Sequence, residues 1–161
     1  KARNIRFSIG QGIQGKTKSF YIKSGEKQAV NIEIAPGVSG SLYQSDLLSK
    51  YRLNKLQLND LIDVEIKEIK EEKIFLKPKS IKPEIGKKYK GYVVGFLYRD
   101  KIKKIGVFVD FSIGVNNGLI YGSDIYPLEI QNIQEGKEIL VQLLNIENKD
   151  GKTRYKLKYI S

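Results

Sequence analysis

Apolar and polar residues alternate with a period of two in several short stretches of the chain, and turn-forming residues separate these stretches. The alternation is clearest at 105–111, where Val107 and Val109 share one face and Phe108 and Asp110 share the other. A period of two is typical of a β-strand with one buried face. The strands predicted in this way are 29–34, 64–69, 74–77, 88–98, 105–111, 119–121, 139–146 and 155–160.

The strand pattern occurs twice along the chain. Residues 40–47 (GSLYQSDL) align with residues 118–125 (GLIYGSDI), and residues 59–66 align with residues 136–143. Each copy then ends in a hairpin, and the second hairpin turns at the residues NKDG, which are of the types that favour turns. Two copies of one pattern indicate two domains of the same architecture.

A short segment separates the two copies. Residues 77–83 (KPKSIKP) predict a linker that its two prolines stiffen. Five short strands in each copy, with turn signals between them, are typical of a small barrel of the OB type. The sequence therefore predicts an all-β fold of two consecutive five-stranded OB-type barrels, in residues 1–80 and 81–161.

Aromatic residues are concentrated in the second copy. Ten of the 16 aromatic residues of the chain lie in residues 83–161, and the first strand of that copy carries four alternating apolar side chains. Regular alternation predicts that these four share one face of the strand. They are Tyr92, Val94, Phe96 and Tyr98.

The charge balance indicates an anionic partner. The chain has 29 Lys and Arg against 18 Asp and Glu, a formal net charge of +11, and both copies are basic. A positive field of this kind favours polyanions, either nucleic acid or an anionic membrane surface. A basic surface without a binding role is the alternative, and charge alone does not separate the two.

The sequence lacks residue types on which several classes of functional site depend. Cysteine and histidine are both absent, which removes disulfides, thiol chemistry, most zinc, haem and iron–sulfur sites and the commonest general base. No apolar run approaches the roughly 20 residues of a membrane-spanning helix. We therefore expect a cytoplasmic protein without catalytic activity, metal, cofactor or membrane association. Because the chain begins with Lys1, we expect it to be part of a longer protein.

The amino-terminal stretch Gly10–Thr17 (GQGIQGKT) matches the pattern of a phosphate-binding P-loop. Such a loop works only if a helix begins at its lysine, so that free backbone amides face the phosphates. The following residues are strand-like and stop at Gly25, which argues against that helix. Nucleotide binding by Gly10–Thr17 is therefore a distant third hypothesis.

The stretch GVFVDF at 106–111, followed by GLIYGSDI at 118–125, resembles the core signature of the S1 domain, an RNA-binding family with the OB fold. The resemblance implies that bases stack on aromatic residues of the second and third strands. Phe108 falls on the second of the two aromatic positions of strand two, and Tyr121 falls where the family commonly has histidine. Ile105 stands in place of the first aromatic residue, a departure that removes one stacking surface.

The resemblance also implies polar contacts from the last hairpin. Glu147 falls on the acidic position of the family, Lys152 falls on the basic position after the turn, and Arg154 is a second candidate for that basic role. For all three, the alternative is that charged residues flank most hairpin turns.

The connection between the first two strands of the second copy is basic. Residues 99–104 (RDKIKK) hold four cations, and this connection is longer than is usual in the S1 family. The loop between these strands is one that OB folds use to hold nucleic acid. We expect Lys101, Lys103 and Lys104 to bind phosphates, and the alternative is an edge hairpin that lysines protect from aggregation.

The first copy lacks the corresponding aromatic residue. Its second strand, 29–34, places Asn31 and Glu33 outward, where Phe108 lies in the second copy. Phe20, Tyr21 and Tyr43 are other candidates for a stacking surface, although core packing also explains Phe20. The first copy is therefore predicted to be degenerate, with a structural role or a protein partner rather than a strong RNA site, and it would extend the RNA path or dock a protein.

The sequence as a whole predicts a non-catalytic module that binds single-stranded RNA, mainly through its second barrel, within a larger RNA-associated protein. Single-stranded DNA is an open alternative as the ligand. The competing interpretation is a structural adaptor that binds a protein and uses both barrels as rigid spacers.

Overall fold

The structure is a computed structural model, and the residues that it describes are 6–44, 49–79, 81–121, 124 and 130–161. The chain divides into two compact units, Lys1–Ser80 and Ile81–Ser161. Parts of the aligned repeat segments, namely residues 45–47, 122, 123 and 125, lie outside the described residues, as does Ser80 in the predicted linker.

The first unit is a closed barrel of five strands in the order β1-β2-β3-β5-β4. A short helix, α1 (Lys50–Lys55), lies between β3 and β4, and the Ser49 hydroxyl caps it by accepting a hydrogen bond from the Arg52 backbone N–H. Neighbouring strands are antiparallel except β3 and β5, which are parallel and share two residue pairs. The strands are β1 (Gly12–Lys23), β2 (Glu26–Ala35), β3 (Val38–Tyr43), β4 (Leu61–Lys70) and β5 (Lys73–Pro78).

The second unit repeats this architecture. Its strands close a barrel in the order β6-β7-β8-β10-β9, again with one short parallel pairing, between β8 and β10. A 3-10 turn, Ile130–Asn132, precedes β9. The strands are β6 (Lys88–Arg99), β7 (Lys103–Asp110), β8 (Gly118–Tyr121), β9 (Glu138–Lys149) and β10 (Lys152–Tyr159).

The predicted all-β fold is confirmed, and each unit contains five strands. Alternation indicated all five in the second unit and three in the first, where β1 and β3 were not assigned from it. The predicted linker began too early, because Pro78 ends β5 and pairs with Val64. Asp110 was also placed wrongly. It was predicted to point outward with Phe108, but it is buried, with 4% of its surface exposed. It is the last residue of β7, where strand alternation no longer fixes the side that a side chain takes.

Irregularities in β6 change the face of its aromatic residues. The pairing of β6 with β7 shifts register between Val93 and Gly95 and again between Leu97 and Tyr98. Because a bulge inserts one residue into a strand, it reverses the alternation beyond it. The first shift inserts Val94 into β6 and turns Phe96 to the core face, opposite Tyr92. The second shift inserts Ile105 into β7, so Tyr98 stays on the side of Phe96, although it is 47% exposed. The prediction that Tyr92, Val94, Phe96 and Tyr98 share one face was wrong for this reason.

Aromatic packing and a close backbone approach organise the core of the second barrel. Phe111 makes edge-to-face contacts with Tyr89 and Tyr155, with ring centroids 5.3 Å apart in both cases. A Cβ on Gly118 would lie 2.5 Å from the Leu157 side chain, so only glycine allows β8 to lie this close to β10. Gly40 has the same role against Leu76 in the first barrel.

One lysine on the second strand of each barrel fastens the segment that precedes the fourth strand. The Lys27 ammonium lies 3.9 Å from the Phe20 ring centroid and donates a hydrogen bond of 2.9 Å to the Leu56 carbonyl after α1. The Lys104 ammonium lies 4.0 Å from the Phe96 ring centroid and donates a hydrogen bond of 3.2 Å to the Ile133 carbonyl. We call each arrangement a lysine clip.

The hairpin between β6 and β7 ends in a tight turn. Asp100 and Lys101 both have positive φ, 54° and 64°, and the Ile102 N–H donates to the Arg99 carbonyl over 3.2 Å. Positive φ at both central residues is the signature of a type I′ turn, whose twist matches that of the flanking strands. The turn presents Ile102 with 84% of its surface exposed, between cationic neighbours.

Candidate nucleic-acid interface

A groove of about 520 Å³ crosses the outer face of β7, β8 and β10 in the second barrel. This volume is within the range of small-ligand sites. Apolar and aromatic side chains alternate around the groove with polar and charged ones. We call it the aromatic groove, and its lining residues are Leu97, Phe108, Asn117, Leu119, Tyr121, Glu147, Thr153, Arg154, Tyr155 and Lys156.

Strand register explains why these side chains meet. Phe108 pairs with Leu119 across β7 and β8, and Leu119 pairs in parallel with Lys156 of β10. Gly106 pairs with Tyr121 in the neighbouring row. Directly paired residues point to the same side of a sheet, so the two rows form one continuous surface. Gly106 leaves space in that surface, since a Cβ there would be 3.0 Å from Leu119.

Four of the eight predicted binding residues line this groove. Phe108 is half-buried, whereas Tyr121 exposes 48% of its surface. Glu147 and Arg154 are direct partners across β9 and β10. Lys152 does not line the groove, because it pairs with Lys149 beside the β9–β10 turn.

The three predicted phosphate-binding lysines of the β6–β7 hairpin lie outside the groove. Lys101 and Lys103 are exposed at the tip of the hairpin. Lys104 is half-buried, and its ammonium is held in the lysine clip of the second barrel. The hairpin extends away from the groove beyond Leu97, which lines its edge. Four residues of extended chain place Lys101 about 13 Å from Leu97.

Tyr155 and Lys156 are groove residues that sequence reasoning missed. Burial raises the pKa of the Tyr155 phenol above its ordinary value. Lys156 lies 3.8 Å from the Asp124 carboxylate, which fixes the direction of the lysine side chain. The register shift between Lys156 and Leu157 skips Leu144 of β9 and leaves the alternation of β10 unbroken, so Lys156 lies on the same outer face as Arg154. Alternation alone carries no signal for the parallel pairing that places Lys156 beside Leu119.

The first barrel has a polar row at the position of Phe108. Asn31 donates a hydrogen bond of 3.0 Å to the Ser19 hydroxyl and accepts one of 3.1 Å from the Ser41 hydroxyl. This row links β1, β2 and β3. Among the residues named as other stacking candidates, Phe20 is held beneath the Lys27 ammonium, whereas Tyr21 and Tyr43 are exposed.

A second groove, of about 460 Å³, lies beside these two tyrosines. We call it the tyrosine groove, and its lining residues are Tyr21, Lys23, Gln28, Tyr43 and Gln44.

The P-loop-like stretch does not form a phosphate-binding loop. Gly12–Lys23 is one continuous strand, so no helix begins at Lys16. Thr17 is completely buried in the first barrel. The glycine spacing has a packing explanation, because a Cβ on Gly15 would collide with Ile32.

Within the described part of the chain, no group of three or more acidic side chains is arranged to hold a metal ion. No helix in the same residues combines the length and the apolarity needed to span a membrane.

No protein-family model matches the chain, and no curated protein matches it either. Among solved structures, an uncharacterized protein of Methanocaldococcus jannaschii is similar over 50% of this chain and 96% of its own, with 31% identity and a TM-score of 0.39. A multidomain protein with nucleic acid binding domains from Streptococcus pneumoniae is similar over 96% of this chain, with 15% identity and a TM-score of 0.36. The chain spans 55% of that pneumococcal protein.

Proposed function

We propose that this protein binds single-stranded RNA without catalysis, mainly through the aromatic groove, as part of a larger RNA-associated protein in the cytoplasm. The observation that carries the proposal is the groove itself, in which Phe108 and Tyr121 lie beside Arg154 and Lys156. Ring faces and cations side by side match the two repeating parts of a single strand, its bases and its phosphates.

Stacking supplies the sequence-independent part of the proposed affinity. Each base that stacks on an aromatic side chain contributes about 1–3 kcal/mol. Phe108 and Tyr121 provide two such rings. Ile105 occupies the position where the S1 resemblance implies another ring, so contacts to the phosphates supply the rest of the proposed affinity.

The cations divide into two sets in this proposal. Arg154 and Lys156 bind the phosphates of nucleotides stacked in the groove. Lys101, Lys103 and Lys152 extend the positive field beyond it, and Lys104 is assigned to the lysine clip. Each phosphate that a cation neutralises releases a counterion, so binding falls steeply with salt concentration.

Glu147 has a different role, because a carboxylate only accepts hydrogen bonds at neutral pH. At the rim of the groove it accepts a bond from a base amino group or from a ribose hydroxyl. A contact to the 2′-hydroxyl is the feature that distinguishes RNA from DNA. Glu147→Gln is expected to reduce the preference for RNA over DNA of the same sequence.

The fold supports the same proposal. Both units share the strand order 1-2-3-5-4, closed between strands one and four, with strands three and five parallel. We propose that both are OB-type barrels and that the second is an S1 domain. The groove then lies on strands two and three, where OB folds bind oligonucleotides.

The test is fluorescence anisotropy of a labelled single-stranded RNA of about 12 nucleotides, within the span of one or two OB folds. Matched DNA and duplex RNA serve as ligand controls, and the titrations are repeated over a salt series. Phe108→Ala and Tyr121→Ala are each expected to weaken binding about 5- to 100-fold, the equivalent of one lost stack. Ile85→Ala removes an equally apolar, 60% exposed side chain outside the groove and should leave binding unchanged.

The alternative is a structural adaptor that binds a protein through the same exposed rings. It predicts no RNA binding even at low salt, where electrostatic attraction is strongest. That result would overturn the proposed function.

A further inference from the structure

The tyrosine groove of the first barrel lies at the same place in the strand order as the aromatic groove of the second. Tyr21 of β1 and Tyr43 of β3 are both paired with Ala29 of β2, which lies between them. Their counterparts in the second barrel are Leu97 and Tyr121 on either side of a glycine. The first barrel therefore has aromatic rings on both sides of this position, where the second has one.

The two tyrosines form the walls of a slot above Ala29, and Gln28 and Gln44 line the same groove. Neighbouring strands are about 4.8 Å apart, which places the Tyr21 and Tyr43 backbones about 10 Å apart. A flat ring sandwiched between two others needs about 7 Å, or two contacts of about 3.5 Å each. Tyr21 and Tyr43 are 53% and 40% exposed, whereas Ala29 is 3% exposed. The Ala29 methyl group is covered and does not line the groove, so a base enters above it, between the exposed parts of the two rings.

Tyr43 is already oriented for stacking. Its ring lies on the Phe75 ring of β5, with centroids 6.2 Å apart and an angle of 29° between the planes. A side chain whose rotamer is fixed before binding loses less entropy when a ligand arrives. Phe75 thus holds one wall of the slot in place from behind.

The remaining groove residues suit a nucleotide. Lys23 supplies a cation for a phosphate, while Gln28 and Gln44 supply amide donors and acceptors for the edge of a base. The first unit is basic, with 15 Lys and Arg against 9 Asp and Glu in residues 1–80. The charge complements a nucleic acid strand.

We propose that the first barrel is a second binding site for single-stranded nucleic acid and that it clamps one base between Tyr21 and Tyr43. The inference rests on the proposed function only for the class of ligand, since Tyr21 and Tyr43 belong to the first barrel and the proposed function concerns the second. It decides between the two expectations for the first barrel in favour of extending the RNA path over docking a protein. The S1 resemblance supplies only one side of this site, because Tyr43 aligns with Tyr121 on strand three, whereas Tyr21 on strand one matches none of the aromatic positions that it names.

The experiment follows the backbone amide signals of the isotopically labelled full chain by NMR while an unlabelled RNA of about four nucleotides is added, a length that one barrel can hold. Signals around Ala29 and Tyr43 report on the first barrel, and signals around Leu119 report on the second. The titration is repeated with Tyr21→Ala, with Tyr21→Phe, and with the double variant Phe108→Ala/Tyr121→Ala.

Ile22→Ala is the matched control, since Ile22 is the next residue of β1 and 58% exposed but does not line the groove. Tyr21→Phe keeps the ring and should keep at least half of the affinity of the first barrel. Tyr21→Ala should weaken that affinity at least fivefold and leave the second barrel unaffected. The double variant should abolish the response of the second barrel alone.

Each outcome separates the two proposals. A response in both barrels supports both, and a response in the first barrel alone supports the clamp while overturning the proposed function of the second. A response confined to the second barrel, or a first-barrel response that Tyr21→Ala does not weaken, overturns the clamp. No response in either barrel overturns both proposals.

Discussion

Thr17 places a hydroxyl group in the interior of the first barrel. Its side chain is completely buried, and Oγ1 has no hydrogen-bond partner. An unpartnered buried hydroxyl costs about 1–3 kcal/mol of desolvation, whereas an apolar group of the same shape does not. Thr17 ends the stretch that matches the P-loop pattern, but its buried environment makes its hydroxyl a cost to the stability of the barrel.

Replacing the hydroxyl with a methyl group should therefore stabilise the protein. We expect Thr17→Val to raise the free energy of unfolding by about 1 kcal/mol in urea denaturation. Thr17→Ala is the control, because it removes the same hydroxyl but also a packed methyl group, and it should stabilise less or destabilise. A lower denaturation midpoint for Thr17→Val would show that the hydroxyl has a partner in solution.

Tyr155 gives the second barrel a stability that depends on alkaline pH. Burial raises the pKa of its phenol, so the folded protein keeps a proton that the unfolded chain releases above about pH 10. The free energy of unfolding is therefore unaffected below that pH and falls as the pH rises through it. The free energy of unfolding of Tyr155→Phe should fall less than that of the unchanged protein between roughly pH 9 and pH 11. Equal falls in both proteins would contradict this expectation.

At the scale of elements, the lysine clips join each second strand to the segment before the fourth strand. In the second barrel the clip combines a cation over the Phe96 ring with a hydrogen bond to the Ile133 carbonyl. Such contacts contribute about 0.5–1 kcal/mol each. Lys27 repeats the arrangement in the first barrel, which favours a structural role over phosphate binding for Lys104.

The two roles of Lys104 make opposite predictions. Lys104→Met keeps the apolar stem and removes the charge, so it should lower the free energy of unfolding by about 1–2 kcal/mol and change RNA affinity little. Lys101→Met, on the exposed turn, should leave the free energy of unfolding unchanged. It should lower the RNA affinity and reduce its salt dependence. A loss of affinity for Lys104→Met as large as that for Lys101→Met would restore the phosphate-binding interpretation.

Strand alternation predicted the elements better than it predicted their faces. The strands that it predicted were recognisable because their core residues, such as Val107 and Val109, recur with a period of two. Bulges are invisible to that rule, which is why Phe96 was assigned to the wrong face. The groove residues Phe108 and Tyr121 were found through a family resemblance, whereas the place of Lys156 in the groove depends on a parallel pairing between distant strands.

At the scale of the whole molecule, the two proposed binding sites predict that affinity depends on ligand length. Once one site is occupied, the other meets the same strand at a high effective concentration. An RNA of about 30 nucleotides should bind at least tenfold more tightly than one of about 6 nucleotides. Tyr21→Ala should remove most of this difference in anisotropy titrations without weakening the short ligand bound in the aromatic groove. A length effect that Tyr21→Ala leaves intact would come from the second barrel alone.

The parallel pairing between β8 and β10 has a consequence for local opening. It consists of two residue pairs, Gly118 with Tyr155 and Leu119 with Lys156, and is the shortest strand pairing described in that barrel. Amide hydrogens at such a seam exchange with solvent through small openings that leave the rest of the barrel folded. The aromatic groove lies directly over the seam, so a bound strand that touches Tyr121 and Arg154 holds its two sides together. RNA should therefore slow hydrogen exchange most at β8. Binding would then stabilise the shortest strand pairing of the barrel.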